Sequence, residues 1–442
     1  MHGIDQALAA APAALRSPSP DHSRPHIALF MKSLGGAGIE RVMLNLAGAL
    51  VERGHRVDLL VCRGGEFEAE VPAGVGVVMV REASGLRWRS SLLRAGPGDV
   101  LVPLLSLLLS RRPPPELRCL PELIRYLRQE RPAALLAAAS YANLAAIWAG
   151  RAAGAATRIA VSEHGPLSIA TEGPHRRGQR RWRVLRPLVR RLYPQAGAIV
   201  AVSDGVADDL ARTAALPRSR IATLYNPVVD GTLHERARVA VAHPWFVPGQ
   251  PPVILGVGRL SPQKDFPTLL RAFARLRRQR AARLVILGEG RKRAALERLA
   301  RELGIADAVD MPGFVANPFA YMARASLFVL SSAFEGLPTV LIEALACGCP
   351  VVSTDCPSGP AEILEGGRWG PLVPVGDDAA LAAAMLATLA APLPRARLRE
   401  RGAFFSVERA AERYGALLFG PDSAAGAAPA APPLKALRGR NA

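Results

Sequence analysis

The segment HIALFMKSLGGAGIERVMLNLAGALVERGHRVDLLVC, residues 26–62, constrains the fold more than any other part of the sequence. It reads as a strand (26–31), a glycine-rich turn, a helix (40–53) that ends at Gly54, and a second strand (57–62). Two consecutive strands joined through a helix run parallel in one sheet. The segment therefore predicts an α/β domain whose first turn opens a helix.

The same alternation occurs in two blocks along the chain. Strand-like runs follow at 133–140, 158–164 and 198–203, and the pattern then breaks at YNPVVD and at the proline-rich AHPWFVPGQPP. Strands and helices alternate again from VILGVGRL to PVVSTD. The two blocks predict two Rossmann-like, doubly wound domains that face each other across a cleft, with ligands beyond the carboxyl ends of the strands.

Composition and the proline- and glycine-rich breaks in the pattern give the expected domain boundaries. We predict a disordered leader at 1–25, an N-terminal Rossmann-like domain at 26–240, a linker at 241–252, a C-terminal Rossmann-like domain at 253–392, a helical segment at 393–420 and a disordered, Ala/Pro/Gly-rich tail at 421–442. In the leader an acid precedes the apolar run and no basic residue does, which argues against a signal peptide.

The most apolar stretch is VLVPLLSLLLS, residues 100–110. It is far shorter than the ~20 residues that a membrane-spanning helix needs. The five cysteines are scattered, none forms a CxxC, and no histidine lies at zinc-finger spacing. We therefore expect a cytoplasmic protein with small buried thiols and no metal site.

The net charge of +19 comes almost wholly from arginine, since only four of the 56 basic residues are lysine. An arginine- and alanine-rich composition can reflect a GC-rich genome, so the total charge alone does not indicate nucleic-acid binding. One local cluster is notable, since His175 to Arg191 holds eight arginines and no acid, interleaved with apolar residues. This pattern is typical of a segment that lies on anionic lipid headgroups, or of a solvated helix in an arginine-rich protein.

The stretch FEGLPTVLIEALACG carries two acids, Glu335 and Glu343, in an otherwise apolar run. Pro338 suits the first position of a helix, which would place Glu335 on the preceding loop and Glu343 in the second helical turn. Burying an unpaired carboxylate is costly, so Glu343 is a candidate binding residue. Free backbone N–H groups at the start of a helix bind phosphate groups, so this helix start is a candidate binding site for a diphosphate. The N–H groups concerned are those of Thr339, Val340 and Leu341.

The spacing of FEGLP and IEA, E-x7-E, resembles the signature of retaining GT-B glycosyltransferases of family 4. Further motifs match that family in the expected order from about 27 to 389: SLGGAGIERVMLNLA, SEHG, VSDGVADDL, YNPVVD, GVGRLSPQKDF, LVILGEG, PGFV and DCPSGPAEIL. The resemblance implies a GT-B fold and transfer of a sugar from a nucleotide-diphosphate donor with retention of configuration. It also implies that the domain at 26–240 binds the acceptor and that the domain at 253–392 binds the nucleotide sugar.

The resemblance also implies roles for individual residues. Glu343 would bind the nucleotide ribose, and Glu335 would hold hydroxyls of the transferred sugar. Arg259 and Lys264, in GRLSPQK, would neutralise the diphosphate, and His164, in VSEHG, would lie near the sugar and the acceptor. The other predicted donor-binding residues are Gly38, where a missing Cβ admits the phosphates, Gly288, Phe314 and Val315 at the base, and Gly336, Leu337, Thr339 and Val340.

In such a reaction the departing diphosphate itself takes the acceptor proton, so stabilising the leaving group matters more than a protein base. We therefore predict no metal and no other cofactor. The resemblance favours a UDP-sugar over GDP- or ADP-sugars, and a glycan or lipid-linked acceptor in cell-surface polysaccharide biosynthesis. If the Arg-rich segment contacts lipid, the protein is peripheral on the inner face of the cytoplasmic membrane.

Two other classes of protein remain as alternatives. An NAD-dependent dehydrogenase would need a third glycine where Arg41 stands, and an acid at the end of VDLLVC, where Cys62 and Arg63 stand. A non-enzymatic, basic membrane- or nucleic-acid-binding protein on a Rossmann-like scaffold would need aromatic side chains along a basic groove to stack bases, and only 5% of the residues are aromatic. We therefore expect no nucleic-acid partner.

Overall fold

The computed structural model describes residues 25–35, 38–95, 107–108, 110, 113–172 and 184–420. The predicted disordered tail and nearly all of the predicted leader lie outside these residues. So do most of the apolar stretch 100–110 and residues 175–183 of the Arg-rich segment.

The first sheet contains seven strands among the described residues, in the order β3-β2-β1-β4-β5-β6-β7. The strands are β1 (His26–Ser33), β2 (Arg56–Arg63), β3 (Val75–Met79), β4 (Ala134–Ala138), β5 (Arg158–Glu163), β6 (Ala198–Ala201) and β7 (Ile221–Thr223). The pairs from β3 to β5 are all parallel. The order reverses direction between β1 and β4, as in doubly wound folds.

Nine helices of the described residues precede the second sheet in the sequence. They are α1 (Gly38–Glu52), α2 (Gly85–Ala95), α3 (Pro115–Arg118), α4 (Leu120–Glu130), α5 (Ser140–Ala153), α6 (Leu167–Glu172), α7 (Leu185–Leu192), α8 (Asp204–Ala214) and α9 (Gly231–Arg238). Helix α1 buries the apolar positions that repeat at helical spacing, among them Val42, Leu46 and Leu50. Gly54 follows α1 with φ of +84°, a conformation that suits glycine and ends the helix.

The second sheet has the order β10-β9-β8-β11-β12-β13, and its pairs are parallel. The strands are β8 (Val253–Val257), β9 (Arg283–Leu287), β10 (Val309–Gly313), β11 (Leu327–Leu330), β12 (Val351–Thr354) and β13 (Leu372–Val373). The helices are α10 (Phe266–Arg277), α11 (Arg293–Glu302), α12 (Pro318–Arg324), α13 (Thr339–Ala346), α14 (Pro360–Ile363), α15 (Asp378–Ala390), α16 (Arg395–Ala403) and α17 (Val407–Phe419).

The chain divides into two compact units. The first comprises Met1–His164, Ser168–Ile199 and Thr213–Leu216, and the second comprises Gly165–Leu167, Val200–Arg212 and Pro217–Ala442. The second unit therefore includes residues 200–212 and 217–252, which precede the start of the predicted C-terminal domain at 253. Two parallel, doubly wound sheets agree with the α/β architecture expected from the sequence.

The described part of the Arg-rich segment corrects one expectation. Helix α7 turns its apolar side chains, Leu185, Leu188, Val189 and Leu192, into the protein, where all four are buried. Arg186 and Arg190 are on the exposed side. These apolar residues therefore stabilise the fold, and they do not form the apolar face of an interfacial helix.

Within the described part of the chain, no single helix has the length and apolar composition to cross a membrane. The pair α15 and α16 meets that length and composition test only jointly, with a bend of 116° between the two helices.

Candidate functional site

Glu335 lies on the loop that follows β11, and it is buried with 6% of its surface exposed. Its Oε1 accepts hydrogen bonds from Lys264 Nζ at 2.6 Å and from Ser332 Oγ at 2.7 Å. Its Oε2 accepts a longer hydrogen bond from Gln263 Nε2, at 3.3 Å. A cation and two neutral donors thus compensate the burial of this carboxylate.

The backbone of Glu335 is fixed as well as its side chain. Its N–H donates to the Pro357 carbonyl at 2.7 Å, and its carbonyl accepts from the Ser358 N–H at 2.9 Å. The segment after β12 therefore holds the loop after β11. A carboxylate held from both sides is preorganised to receive hydroxyl groups.

Lys264 reaches Glu335 from the loop that follows β8. Its carbonyl accepts a hydrogen bond from Ser331 Oγ at 2.8 Å, and its side chain is only 14% exposed. The aliphatic part of the side chain packs on Gly258, where an added Cβ would lie 2.9 Å from Lys264 Cε. Arg259, one residue further on, is exposed and forms no hydrogen bond or ion pair with any described residue. One predicted cation is thus anchored, and the other is available to a ligand.

Helix α13 begins one residue later than predicted. Pro338 is the residue before the helix, with ψ of 100°, and Thr339 is the first helical residue. The Leu341 N–H donates to the Pro338 carbonyl at 3.1 Å, so it is not one of the free donors that the sequence predicted. Thr339 and Val340, both partly exposed, keep their positions in the first turn, where N–H groups lack helical partners.

Glu343 lies in the second turn of α13 and is 6% exposed. Its helical neighbours Ile342, Ala344 and Leu345 are buried. Burial, and then the charge of Glu343, raise the pKa of the nearby Cys347 thiol to about 12. The two acids of the opening motif therefore occupy different surroundings, Glu335 beside a lysine and Glu343 in an apolar helix.

The other predicted residues of the second unit follow neighbouring strands at the same edge of the sheet. Gly288 follows β9, and Phe314 and Val315 follow β10. Phe314 is 64% exposed, so its ring is accessible, and Val315 is half-buried. Gly336 and Leu337 are buried between Glu335 and α13. Because β10, β9, β8 and β11 are adjacent and parallel, their carboxyl ends bring these residues to one edge.

Gly288 is required by a close approach of two loops. Its φ is +134°, and a Cβ there would lie 2.1 Å from the Gly258 carbonyl oxygen. We expect Gly288→Ala to lower the free energy of unfolding by about 3 kcal/mol or more. The new methyl group would clash with the backbone of Gly258, which cannot move aside as a flexible side chain can. Gly304→Ala is the control, since φ is +68° but no atom lies within 4 Å, and it should cost about 1 kcal/mol. Equal shifts of the two urea midpoints would contradict this account.

Two residues that hold this edge were not predicted from the sequence. Ser203, fully buried before α8, donates from Oγ to the Gly336 carbonyl at 2.9 Å and accepts from the Val206 N–H at 3.2 Å. Glu362, on α14, accepts from the Asp204 N–H at 2.7 Å and the Gly205 N–H at 2.8 Å. In VSDGVADDL a serine and an acid stand directly before a helix, which is a sequence pattern of a helix N-cap. This pattern could have identified Ser203 from the sequence.

Glu362 also accepts a long hydrogen bond from the Tyr225 hydroxyl, at 3.3 Å. Burial raises the pKa of this carboxyl, and the two backbone N–H donors partly offset the effect. Its position at the start of α8 places an acid where the helix dipole favours negative charge. Ser203 and Glu362 together join the start of α8 to the loop of Glu335.

We expect Ser203→Ala to lower the turnover number about tenfold while leaving nucleotide affinity unchanged, because it frees the Gly336 peptide beside Glu335 but does not touch Glu343. Ser353→Ala is the matched control, since Ser353 is equally buried and also donates to a backbone carbonyl at 2.9 Å. Steady-state kinetics and calorimetric titration of both variants give the two quantities. An equal loss of turnover in the two variants would show a general packing effect instead.

In the first unit, Gly38 is the first residue of α1 and is exposed. A Cβ at this position would meet no described atom within 4 Å, so the protein alone does not require glycine there. The predicted reason for glycine, close approach of a ligand phosphate, stays a prediction.

His164 follows β5, at the carboxyl edge of the first sheet, and its Nε2 lies 3.0 Å from Ser162 Oγ. Burial lowers the pKa of His164 to about 4, so the imidazole is neutral at pH 7. A neutral imidazole can donate or accept a hydrogen bond but carries no charge for a phosphate.

The residue before His164 was also missed. Glu163 is 4% exposed and accepts hydrogen bonds from the Tyr193 hydroxyl, from Asn143 Nδ2 at 3.3 Å and from Ser140 Oγ at 3.0 Å. Burial and the charge of Glu163 raise the pKa of Tyr193 well above its usual range. This network fixes the end of β5 and with it the position of His164.

All five cysteines are free and buried, as expected from their spacing. Within the described ranges, one set of side chains could hold a metal ion, namely His26, Asp58 and Glu130. Asp58 already accepts from Tyr126 at 2.6 Å and pairs with His26 at 2.8 Å. These bonds lower the pKa of Asp58 despite its burial, so the carboxylate is stable without an ion.

Comparisons with known proteins agree with the fold. The sequence model described as Glycosyltransferase Family 4 matches residues 36–230, and the model described as Glycosyl transferases group 1 matches residues 243–403. Together they cover most of the chain. Among solved structures, the lipopolysaccharide outer core galactosyltransferase WaaB has a TM-score of 0.65 at 19% identity, covering 89% of this chain and 99% of that one. The Anabaena protein HepE in complex with UDP also has a TM-score of 0.65, at 19% identity over 88% and 98% of the two chains.

The curated relatives match shorter parts. The N-acetylgalactosamine-N,N'-diacetylbacillosaminyl-diphospho-undecaprenol 4-alpha-N-acetylgalactosaminyltransferase of Campylobacter jejuni is 37% identical over 191 residues, 43% of this chain and 50% of that protein. The lipopolysaccharide core biosynthesis glycosyltransferase LpsE of Rhizobium meliloti is 37% identical over 155 residues, 35% and 44% of the two chains. The chain thus matches half or less of the length of these relatives.

The two doubly wound sheets define an α/β protein of the GT-B class, which confirms the predicted fold class. The two sequence models then place the chain in the glycosyltransferase family, among the group 1 and family 4 enzymes. The resemblance to GT-B glycosyltransferases of family 4 is thereby confirmed, and retention of configuration stays a prediction.

Proposed function

We propose that the chain is a retaining glycosyltransferase that moves a sugar from a nucleoside-diphosphate sugar to a glycan or lipid-linked saccharide in cell-surface polysaccharide biosynthesis. The observation that carries the proposal is the buried pair of Lys264 and Glu335 at the carboxyl edge of the second sheet, with Arg259 exposed beside it. Cations and a carboxylate at the same edge suit a ligand that has a diphosphate next to a polyol.

The donor fits this edge in a definite order. Glu343 would accept hydrogen bonds from the ribose hydroxyls, and the backbone near Gly288 and Phe314 would contact the base. Arg259 and Lys264 would neutralise the diphosphate together with the first turn of α13. Glu335 would then hold hydroxyls of the transferred sugar.

These positions favour a mechanism in which the departing diphosphate takes the acceptor proton and the protein stabilises the charge on that leaving group. As the bond between the anomeric carbon and the diphosphate oxygen breaks, negative charge grows on that oxygen, and the cations stabilise it. The acceptor oxygen forms its bond on the same face of the sugar, and its proton passes to the departing diphosphate. Retention of configuration follows from this same-face attack. The mechanism as drawn has no step that needs a metal, and we propose that none is required.

Uridine is the base that we favour. The fold resembles that of the Anabaena protein HepE in complex with UDP, and the curated relatives include proteins named for lipopolysaccharide core biosynthesis and for a lipid-linked saccharide. A lipid-linked acceptor would bring the enzyme to the inner face of the cytoplasmic membrane, and we propose this location.

A thermal-shift screen tests the donor assignment. UDP, GDP, ADP and their sugars would each be added to the wild-type protein and to Glu343→Gln. A ligand that binds only the folded state at 100 times its Kd stabilises that state by about 2.7 kcal/mol, so the true nucleotide should raise Tm clearly. We expect the largest shift with UDP compounds and a smaller one in the variant. If no nucleotide shifts the wild type, the donor site is wrongly assigned.

A further inference from the structure

The side chain of Ser162 contacts the imidazole of His164 within the first unit. Ser162 lies near the end of β5 and is 1% exposed. Side chains two residues apart on an extended chain point to the same face, and Ser162 Oγ lies 3.0 Å from His164 Nε2. The sequence did not single out Ser162, yet it is the residue that bonds to the predicted histidine.

The backbone of Ser162 is fixed by Asn143, a fully buried residue of α5. Asn143 Nδ2 donates to the Ser162 carbonyl at 2.9 Å, and the Ser162 N–H donates to Asn143 Oδ1 at 3.2 Å. The Ala139 N–H also donates to the Ser162 carbonyl, at 3.0 Å. The backbone that carries the serine hydroxyl is therefore held from both β4 and α5.

The hydroxyl of Ser162 has one hydrogen to donate, and its direction decides where the proton of His164 lies. Among the described residues, the hydrogen-bond partner of Ser162 Oγ is His164 Nε2 alone. If Nε2 carried the proton, it would donate to Oγ, and the buried serine hydrogen would have no acceptor there. A buried donor without an acceptor is unfavourable. If Nε2 is bare, it accepts the serine hydrogen, and both groups are satisfied.

A neutral imidazole carries its single proton on either Nδ1 or Nε2. His164 is neutral at pH 7, because burial lowers its pKa to about 4. With Nε2 accepting from Ser162, the proton lies on Nδ1. Nδ1 forms no hydrogen bond with any described residue, and His164 is only partly buried. The Nδ1–H group is therefore available to a ligand.

We propose that Ser162 sets the tautomer of His164, so that the histidine presents an uncharged N–H donor at Nδ1 to an oxygen atom of the bound saccharide. Ser162 and Asn143 are then positioning residues, and His164 touches the substrate. The identity of the ligand rests on the proposed glycosyltransferase function, whereas the tautomer does not depend on it. The arrangement leaves His164 no role as a general base, since its bare nitrogen already accepts from Ser162.

Nitrogen-15 NMR of the full chain, labelled in its histidine rings, measures the tautomer without substrate. Protonated and bare ring nitrogens have well-separated shifts, and the signals of His164 among the eight histidines are those that a His164→Gln variant lacks. At pH 7 we expect Nδ1 to be protonated and Nε2 to be bare, with an excess of at least about tenfold over the other tautomer. This measurement needs only the wild-type protein to be folded.

Variants of Ser162 then show whether the serine causes this preference. Ser162→Ala should lower the tautomer ratio about tenfold, and Ser162→Thr, which keeps the hydroxyl, should retain it. Ser353→Ala is the matched control, since Ser353 is a fully buried serine that donates to a backbone carbonyl elsewhere. It should leave the signals of His164 unchanged, whereas a general effect of losing a buried hydroxyl would appear in both alanine variants.

Sugar transfer tests which nitrogen works on the substrate. The side-chain amide of asparagine reaches about as far as Nδ1, and that of glutamine about as far as Nε2. His164→Asn should therefore keep a turnover number at least about tenfold above that of His164→Gln. Ser162→Ala should lower the turnover number about tenfold with the affinity for UDP unchanged, and Ser162→Thr should restore it.

A proton on Nε2 of His164 in the wild type would overturn the proposal, as would a tautomer ratio that is the same in the wild type and in Ser162→Ala. Turnover of His164→Gln equal to or above that of His164→Asn would overturn the contact at Nδ1. Absence of sugar transfer by the wild type, by contrast, would count against the proposed function alone, because the NMR spectra are recorded without substrate.

Discussion

Replacing Lys264 by alanine is expected to lower the rate of sugar transfer by about 10²- to 10³-fold, the usual loss when one preorganised donor is removed from developing negative charge. The same change should lower the free energy of unfolding by about 3–5 kcal/mol, because it leaves the buried Glu335 without its cation. Initial rates with the donor identified by thermal shift, and urea unfolding of the same preparation, give the two quantities.

A double variant separates stability from chemistry. Lys264→Met with Glu335→Gln replaces the ion pair by two neutral side chains, which should restore most of the stability and none of the activity. Arg275→Ala is the control for loss of an ion pair, since Arg275 pairs with Asp378 at the surface with 51% of its side chain exposed. That pair should contribute about 1 kcal/mol or less. Turnover of Lys264→Ala within threefold of the wild type would contradict the role of Lys264.

Replacing Glu343 by glutamine is expected to weaken nucleotide binding by about 10- to 100-fold, the range for the loss of hydrogen bonds to a charged acceptor. The substitution keeps the size of a side chain that is only 6% exposed, so the packing of α13 should change little. Calorimetric titration with UDP measures the dissociation constant directly. The turnover number at saturating donor should fall less than the affinity does, because the ribose contact forms before and during the reaction alike.

Glu302→Gln is the control for Glu343→Gln, since Glu302 lies at the exposed end of α11 and pairs only loosely with Arg298, at 3.7 Å. Its dissociation constant for UDP should equal that of the wild type. An unchanged constant in Glu343→Gln as well would remove the ribose role and leave Glu343 as a residue of the helix interior.

The strands and helices were predictable because each has a local pattern of apolar residues in the sequence. Parallel strands such as β4, with every residue buried, read as short apolar runs, and α1 repeats apolar residues at helical spacing. The start of α13 was off by one residue, since proline suits both the first helical position and the position before it. In α7 the apolar face of the Arg-rich segment is buried in the protein and does not face lipid. A sequence alone cannot tell whether an apolar helix face packs on the protein core or on a membrane. Contact of the exposed arginines with a membrane surface stays a prediction.

Some residues of the candidate site could likewise be predicted from the sequence, and others could not. Glu335 and Glu343 stood out as acids in apolar sequence, and the loop of Lys264 followed a strand end. The partners that fix them could not be read from the sequence, since Ser203 and Gly336 are 133 residues apart and Glu362 and Asp204 are 158 apart. Such contacts depend on how distant loops meet at a sheet edge, which local patterns do not encode.

Transfer of labelled sugar tests the central claim most directly. The wild-type protein would be incubated with radiolabelled UDP-glucose, UDP-galactose, UDP-N-acetylglucosamine and UDP-N-acetylgalactosamine, each with a bacterial extract of polyprenyl-diphosphate-linked saccharides. We predict that label from at least one donor enters the lipid phase, that it is lost in Lys264→Ala, and that it persists in Arg275→Ala. If folded wild-type protein transfers no label from any of these donors or from the corresponding GDP- and ADP-sugars, the proposed function is contradicted.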